Sequence, residues 1–279
     1  MRHALLLLIA LGMPACTPEN TLLEFSQEQI TVLALLQAGD SVANVYMRHT
    51  LAGRDEITGR PPEEPLTGAT VRLLHGTNTV ILRDTGSQNH CAPDNPVDGC
   101  YTVSLPQRIA ALETYELLID LPGGGFVRGH ATVPAPPIIR APAAGATLEY
   151  GGFLPRPPAA PTTVRWNLAL PAARTEVAVN VPGLRCTFAA ESWHDATGLD
   201  SLSLFPWQLG CDGALGDREH PGEVVVTVYD SVYARYYRET ARERYGLRPE
   251  HARAGIEGAL GVFAGAATAR VPVRLVPLR

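Results

Sequence analysis

The segment ATVRLL at residues 69–74 alternates apolar and polar side chains along the chain. In an extended backbone this period of two places Val71 and Leu73 on one face, with Thr70 and Arg72 on the other. Such a strand buries one face and exposes the other, as strands of antiparallel sheets do. Residues 69–74 therefore predict a half-buried strand rather than a helix.

Similar short runs lie on both sides of this segment, separated by Gly, Pro, Asn and Asp. Gly and Pro account for 26 and 24 of the 279 residues, so turns are frequent and long helices are few. Further strands are predicted at 30–36, 42–47, 79–82, 100–105, 114–121 and 126–133. This number and spacing of strands is typical of one β-sandwich of about a hundred residues. We therefore predict a sandwich domain at residues 30–137.

The stretch 138–162 is rich in proline and alanine. Because proline has no backbone N–H to donate to a ladder, we interpret this stretch as a linker between domains. Residues 163–279 are predicted to form a second β-rich domain. Its strands are expected at 163–170, 175–181, 185–191, 223–229 and 270–275.

One amphipathic helix interrupts the second domain near residues 231–245. Asp230 or Ser231 can cap its start, and Gly246 and Pro249 follow its end. Its tyrosines recur at helical spacing, which we interpret as packing of the helix rather than as a ligand platform.

The chain begins with Arg2 and His3, an apolar run at 4–11, and small residues that lead to Cys16. This layout is typical of a secretory signal, and the run is shorter than the roughly 20 apolar residues that span a membrane. Ala15 before Cys16 fits a bacterial lipoprotein, in which the cysteine thiol takes a diacylglycerol. Ordinary cleavage, with Cys16 an incidental thiol, is the alternative. We predict a signal peptide and acylation site at 1–16 and a polar tether at 17–29.

Apart from Cys16, the chain has four cysteines, an even number in a sequence predicted to be exported. Even numbers outside the cytosol favour disulfides. Cys91 and Cys100 flank a loop of turn-forming residues, which favours a bridge between them, and Cys186 then pairs with Cys211 by exclusion. The two other connectivities remain open, whereas no Cys-x-x-Cys or His-x-x-x-His spacing supports a zinc site.

The formal net charge of -5 argues against nucleic acid as a partner, because binding to nucleic acid requires a basic face.

Four motifs occur in order along the mature chain: GDSV at 39–42, RHT at 48–50, PLTGATV at 65–71 and IEGALGVFAG at 256–265. Together they resemble the Bacteroidota-type bacterial lipoprotein family known as domain of unknown function 4249. The last motif follows a tyrosine-bearing helix in that family, as it does in this sequence.

The resemblance implies a transthyretin-like or carboxypeptidase-regulatory-like sandwich at 30–137, within the wider immunoglobulin-like class, followed by a second β-rich domain. It also implies a lipoprotein of the outer membrane or cell surface, with display on the periplasmic side as an alternative. A TonB-dependent transporter or another surface protein is the implied partner, and no catalysis is implied.

A serine esterase of the GDSL type is the main alternative function. Ser41 lies in the GDSV motif, the segment 76–78 could serve as an oxyanion block, and Asp217 and His220 have the spacing of an acid and a base. That fold, however, needs a parallel sheet with helices between its strands, and none is predicted between 39 and 78. We interpret 39–40 and 76–78 as turns and predict no catalytic residue.

Three other polar or aromatic groups give weaker indications. Asp94, Asn95 and Asp98 offer oxygen ligands but too few carboxylates for a calcium site. His194 with Asp195 is typical of a solvated loop, and the aromatic residues of 205–207 suit either sugar stacking or a buried core. No metal or cofactor is predicted. The hypothesis is therefore an accessory or binding lipoprotein, with an adhesin or stalk as a second alternative.

Overall fold

The computed structural model is mainly β, with one helix among the residues that it describes. It describes residues 29–50, 63–85, 91, 99–151, 161–167, 173–181, 187–192, 200–204, 218–243 and 253–278. Cys16, the Cys186–Cys211 pair, and the polar groups at 94–98, 193–195 and 205–207 therefore lie outside the described residues. Asp217 does too.

The strands of the first half are β1 (Gln29–Gln37), β2 (Val42–Thr50), β3 (Glu63–Pro65), β4 (Thr70–His75), β5 (Asn78–Asp84), β6 (Cys100–Ser104), β7 (Thr114–Asp120) and β8 (Phe126–Thr132). Those of the second half are β9 (Ile138–Ala141), β10 (Ala146–Tyr150), β11 (Thr162–Asn167), β12 (Arg174–Asn180), β13 (Thr187–Ser192), β14 (Ser201–Leu204), β15 (His220–Tyr229), β16 (Arg253–Ala254), β17 (Ile256–Glu257) and β18 (Leu260–Pro277). Helix α1 (Ser231–Glu243) follows β15.

The first core lies inside a curled sheet. Strands β18, β1, β2 and β6 form one side, and β5, β4, β7, β8 and β17 form the other. Alternate residues point inward between these sides, as β7 shows with Tyr115, Leu117 and Ile119 buried and its other residues more exposed. The sandwich predicted from the alternation at 69–74 is therefore present.

The second core lies between β12, β15, β18 and β10 and the small sheet β14-β11-β9. Trp166 of β11 is fully buried in it, together with Val177, Val226 and Leu275. A single strand serves both cores, because β18 contributes Phe263 to the first core and Val273 and Leu275 to the second. It pairs parallel with β1 over its first part and antiparallel with β15 over the rest.

Glycine allows β18 to approach its neighbours closely. Gly261 has φ +104°, and a Cβ there would collide with the carbonyl oxygen of Val32 on β1. A Cβ at Gly265 would lie 2.6 Å from the carbonyl oxygen of Thr132, the last residue of β8. The small residues of this segment therefore bring the final strand against both sides of the first core.

Each strand predicted from the sequence coincides with an observed strand, and α1 lies within the predicted helix. The sequence also predicts a bridge between Cys91 and Cys100, and it is present with a Cα–Cα distance of 5.8 Å. The stretch interpreted as a linker contains β9 and β10. None of the residues of β10 is proline, and they pair with residues 273–277 of β18. The segment 256–263, assigned to the second domain, contributes to the first core.

We expect Gly261→Ala to lower the free energy of unfolding by about 3 kcal/mol or more, because the methyl group combines a strained φ with a backbone collision. Gly123→Ala is the matched control, since Gly123 has open space around its Cβ position and no positive φ. Urea unfolding of both variants tests the expectation, and equal losses of stability would contradict it.

Candidate functional site

Asp230 fixes the start of helix α1 against the sheet. Its Oδ1 accepts the N–H of Tyr233 at 2.8 Å, which is the bond of a helix N-cap. Its Oδ2 accepts the N–H of Gly265 at 2.8 Å, and its own N–H donates to the Gly265 carbonyl at 3.0 Å. One side chain therefore joins the helix to β18.

Burial raises the pKa of Asp230 to about 6, and the backbone N–H groups that it accepts oppose this change. Burial is the largest cause because the carboxylate loses more hydration than these hydrogen bonds replace. The ionised form of Asp230 is consequently less favourable in the folded chain than in the unfolded one.

A buried arginine lies beneath the helix. Arg174 of β12 is 2% exposed, and its guanidinium carbon is 3.4 Å from the ring centroid of Tyr237. The rings of Tyr229 and Tyr233 are also close, at 5.4 and 5.7 Å. Glu176 lies 3.9 Å from the guanidinium, and so the cation has both aromatic and anionic neighbours. Tyr233 and Tyr237 therefore pack the helix, as the sequence indicates.

The same helix forms one wall of a cleft of about 570 Å³. We call it the tyrosine cleft, and its lining residues are Leu33, Ala34, Leu35, Asn44, Tyr46, Arg48, Cys91, Tyr233, Tyr236 and Val262. Its floor is the outer face of β1 and β2, and its walls are α1 and the disulfide-bonded Cys91. The cleft lies on the sheet surface opposite the first core.

Strand register places apolar and polar side chains beside each other on this floor. Leu33 of β1 pairs directly with Tyr46 of β2. Leu35 follows on the same face and is 41% exposed, although its neighbours Ala34 and Leu36 are buried in the core. The floor is therefore an apolar strip with phenol, amide and guanidinium groups along one side.

The polar groups of the floor are held by the sheet. The Arg48 guanidinium lies over the Tyr46 ring at 4.8 Å, and its Nε donates to the Tyr46 hydroxyl. The hydroxyl of Thr102 donates to Asn44 Oδ1 at 2.7 Å. Among the described residues that line the cleft, Arg48 is the only charged one. The cleft thus presents fixed donors beside ring faces and aliphatic carbon.

One sequence signal for this site is not an alternation. Residues 32–36 read VLALL, a continuous apolar run. Such runs are typical of strands covered on both faces. Here the second face of β1 lies under the cleft, beside α1.

The structure does not bring Ser41 and His220 together. Ser41 follows the turn after β1, where Gln37 Nε2 donates to the hydroxyl of Thr268 at 3.0 Å. His220 pairs with Leu275 at the far end of β18. The last residue of β1 pairs with Ala266, nine residues before Leu275 on β18. The turns interpreted at 39–40 and 76–78 are present, with positive φ at Gly39 and Gly76.

Metal-binding clusters and membrane-spanning helices are absent from the described part of the chain. No group of three or more His, Cys, Asp or Glu side chains there could hold a metal ion. No helix within those residues is long and apolar enough to cross a membrane.

No protein-family model matches the chain, and no curated protein matches it. Among solved structures, a cytokine receptor complex is 11% identical over 88% of this chain and 95% of its own, with a TM-score of 0.26. A segment of two fibronectin type III domains from chicken tenascin is 8% identical over 74% and 93%, with a TM-score of 0.22. The two immunoglobulin domains of DIP-gamma are 13% identical over 91% and 98%, with a TM-score of 0.21.

We expect the folded chain to become more stable, relative to Asp230→Asn, as pH falls from 7 to 4. The raised pKa of Asp230 means that its protonated form is preferred in the folded state between about pH 3.8 and 6. This stabilisation is fully present below the pKa of Asp230 in the unfolded chain, and it is lost as pH rises through 6. It amounts to at most about 3 kcal/mol. Urea unfolding at several pH values measures it. Parallel pH profiles for the two proteins would contradict this prediction.

Proposed function

We propose that the chain is an exported, lipid-anchored binding protein without catalytic activity, and that the tyrosine cleft holds its ligand. The observation that carries the proposal is the apolar strip of Leu33 and Leu35 on an outer sheet face, walled by Tyr233 and Tyr236. An outer face of an antiparallel sheet is ordinarily polar, and a cleft that combines apolar surface with a few fixed polar groups is typical of ligand sites.

The lining of the cleft favours a saccharide chain as the ligand. Tyrosine rings and leucine side chains give flat apolar surfaces for the C–H faces of sugar rings. Asn44, Arg48 and the tyrosine hydroxyls offer hydrogen-bonding groups suited to sugar hydroxyls. A charged metabolite is less well matched, because Arg48 is already engaged with Tyr46.

The geometry around Ser41 supports a binding role over the esterase. A nucleophile and its base must lie within hydrogen-bonding reach of each other. Ser41, however, follows the turn after β1, whose last residue pairs with Ala266, whereas His220 pairs with Leu275, nine residues further along β18. The sheet that carries them is also largely antiparallel, unlike the parallel sheet of that esterase class.

The anchor and the surface location rest on the sequence. Ala15-Cys16 after a short apolar run supports acylation of Cys16. The motifs at 39–71 and 256–265 resemble the domain of unknown function 4249 family, and that resemblance supports placement beside a TonB-dependent transporter. In this proposal the tether at 17–29 presents the sandwich domains at the outer membrane or cell surface.

Isothermal titration of the mature chain with maltohexaose, cellohexaose, xylohexaose and chitohexaose tests the cleft. We expect at least one of these sugars to bind, and Tyr236→Ala to weaken that binding about tenfold or more through loss of a ring face. Arg235→Ala is the matched control, because Arg235 is an exposed residue of α1 that does not line the cleft. Absence of binding by all four sugars, or equal weakening by both variants, would refute the saccharide assignment.

Intact mass spectrometry of the membrane fraction tests the anchor separately. We expect the mature chain to begin at Cys16 and to carry the mass of a diacylglycerol, and Cys16→Ser to abolish that mass and release the chain from the membrane. Alkylation under denaturing, non-reducing conditions should label none of the four other cysteines. A mature chain without acyl mass, or one that begins elsewhere, would show that the anchor is absent.

A further inference from the structure

A second opening lies at the corner where the curled sheet turns. Strand β5 stays with β4 on one side of the first core, and β6 stays with β2 on the other. The two strands pair with each other only at Arg83–Thr102 and Asp84–Tyr101. Among the described residues, the segment 78–82 therefore pairs with β4 alone.

The register of β5 shows which backbone groups face the opening. His75 and Asn78 flank the two-residue turn and pair with each other. Further along the ladder, Leu73 pairs with Val80, and Val71 pairs with Leu82. In an antiparallel ladder, every second residue directs its N–H and C=O groups to the partner strand, beginning with the pair that flanks a two-residue turn. The residues between them direct these groups away from the partner strand. Thr79 and Ile81 therefore direct their backbone groups away from β4. Arg83, the next residue of this series, uses its own edge to pair with β6.

A cavity of about 350 Å³ adjoins this edge and reaches toward the first core. Its inner surface includes Leu73 and Tyr115, which are 3% and 4% exposed, together with Val80 and Leu105. At the rim the ring of His75 stacks on Tyr115 at a centroid distance of 4.5 Å. The cavity is thus apolar on its inner side, while its exposed lining residues include the polar Asn78, Gln107 and Arg108. It lies beside an edge of β5 that pairs with no second strand among the described residues.

The edge lacks the features that ordinarily keep exposed strands from pairing. Residues 78–82 contain neither proline nor a charged side chain, and Ile81 is 60% exposed. Natural edge strands are usually blunted by such residues or covered. A strand edge that no other described strand covers, beside a cavity with an apolar inner side, fits an extended backbone that also brings a side chain.

We propose that this opening, which we call the β5 edge site, binds an extended peptide segment of a partner protein as an added strand. The peptide hydrogen bonds to the backbone of Thr79 and Ile81, and one of its apolar side chains enters the cavity. A second copy of β5 fits less well, because Leu82, on the inward face of β5, is already buried in its own core. The site is separate from the tyrosine cleft and does not depend on it.

Selection from a phage-displayed library of random linear peptides on the mature chain tests the proposal. We expect the enriched peptides to have alternating apolar residues. We expect Ile81→Pro to weaken the binding of the corresponding synthetic peptides about tenfold or more. Proline removes the outward N–H of residue 81 without removing a bond to β4. Ile81→Ser is the matched control, because it removes the same apolar side chain and keeps the N–H.

N-methylation of alternate peptide residues gives a second readout. Methyl groups on the residues that face β5 should abolish binding, while methyl groups on the intervening residues should leave it, because only the first set lies in the ladder. Three results would overturn the proposal: no enrichment above the Ile81→Pro protein, equal binding to the Pro and Ser variants, or a dimer of the mature chain that Ile81→Pro dissociates. Circular dichroism of both variants confirms that each is folded before binding is compared.

Discussion

The parallel pairing of β18 with β1 is the constraint on which the rest of the structure depends. It joins the last strand to the first and thereby closes one side of the first core. Beyond that pairing the same strand continues along β15 and supplies Val273 and Leu275 to the second core. Two sandwiches that share a strand cannot slide relative to each other without breaking both ladders, so the register at Gly261 also fixes the second core.

This register also determines where helix α1 lies. Asp230 directly follows β15 and hydrogen bonds to both the N–H and the carbonyl of Gly265, so the helix begins at a fixed level of β18. From that start, Tyr237 reaches Arg174 on β12, while Tyr236 faces the outer surface of β1. The position of the tyrosine cleft therefore depends on the β18 register, because the Asp230 carboxylate joins β18 to the start of α1.

The main strands were predictable because burial on one face imposes an alternation that the residues display, as Val71 and Leu73 do. The long strand β18 was only partly predictable, at 270–275. Its first half is rich in glycine and alanine, which have low strand propensity and are selected here by close approach to Val32 and Thr132. Strands β9 and β10 were missed for a related reason, since the prolines around them obscure segments whose other residues do pair. Of the cleft, the helix was predictable, but its tyrosines were interpreted as packing only, and their neighbours on β1 and β2 depend on long-range register.

The curl of the first sheet leads to two surfaces of different character. On its outer face, the run at 32–36 is apolar on both sides, so β1 has surface to cover even after its inner residues are buried. Helix α1 covers part of that surface and leaves the remainder as the floor of the tyrosine cleft. At the corner, β5 and β6 must separate because each is already committed to a different neighbour, and the ladder between them ends after two pairs. The tyrosine cleft therefore arises from apolar side chains on the outer face of β1 and offers aromatic rings and aliphatic carbon. The other surface arises from a strand edge that pairs with no second strand among the described residues, so the two surfaces suit ligands of different chemistry.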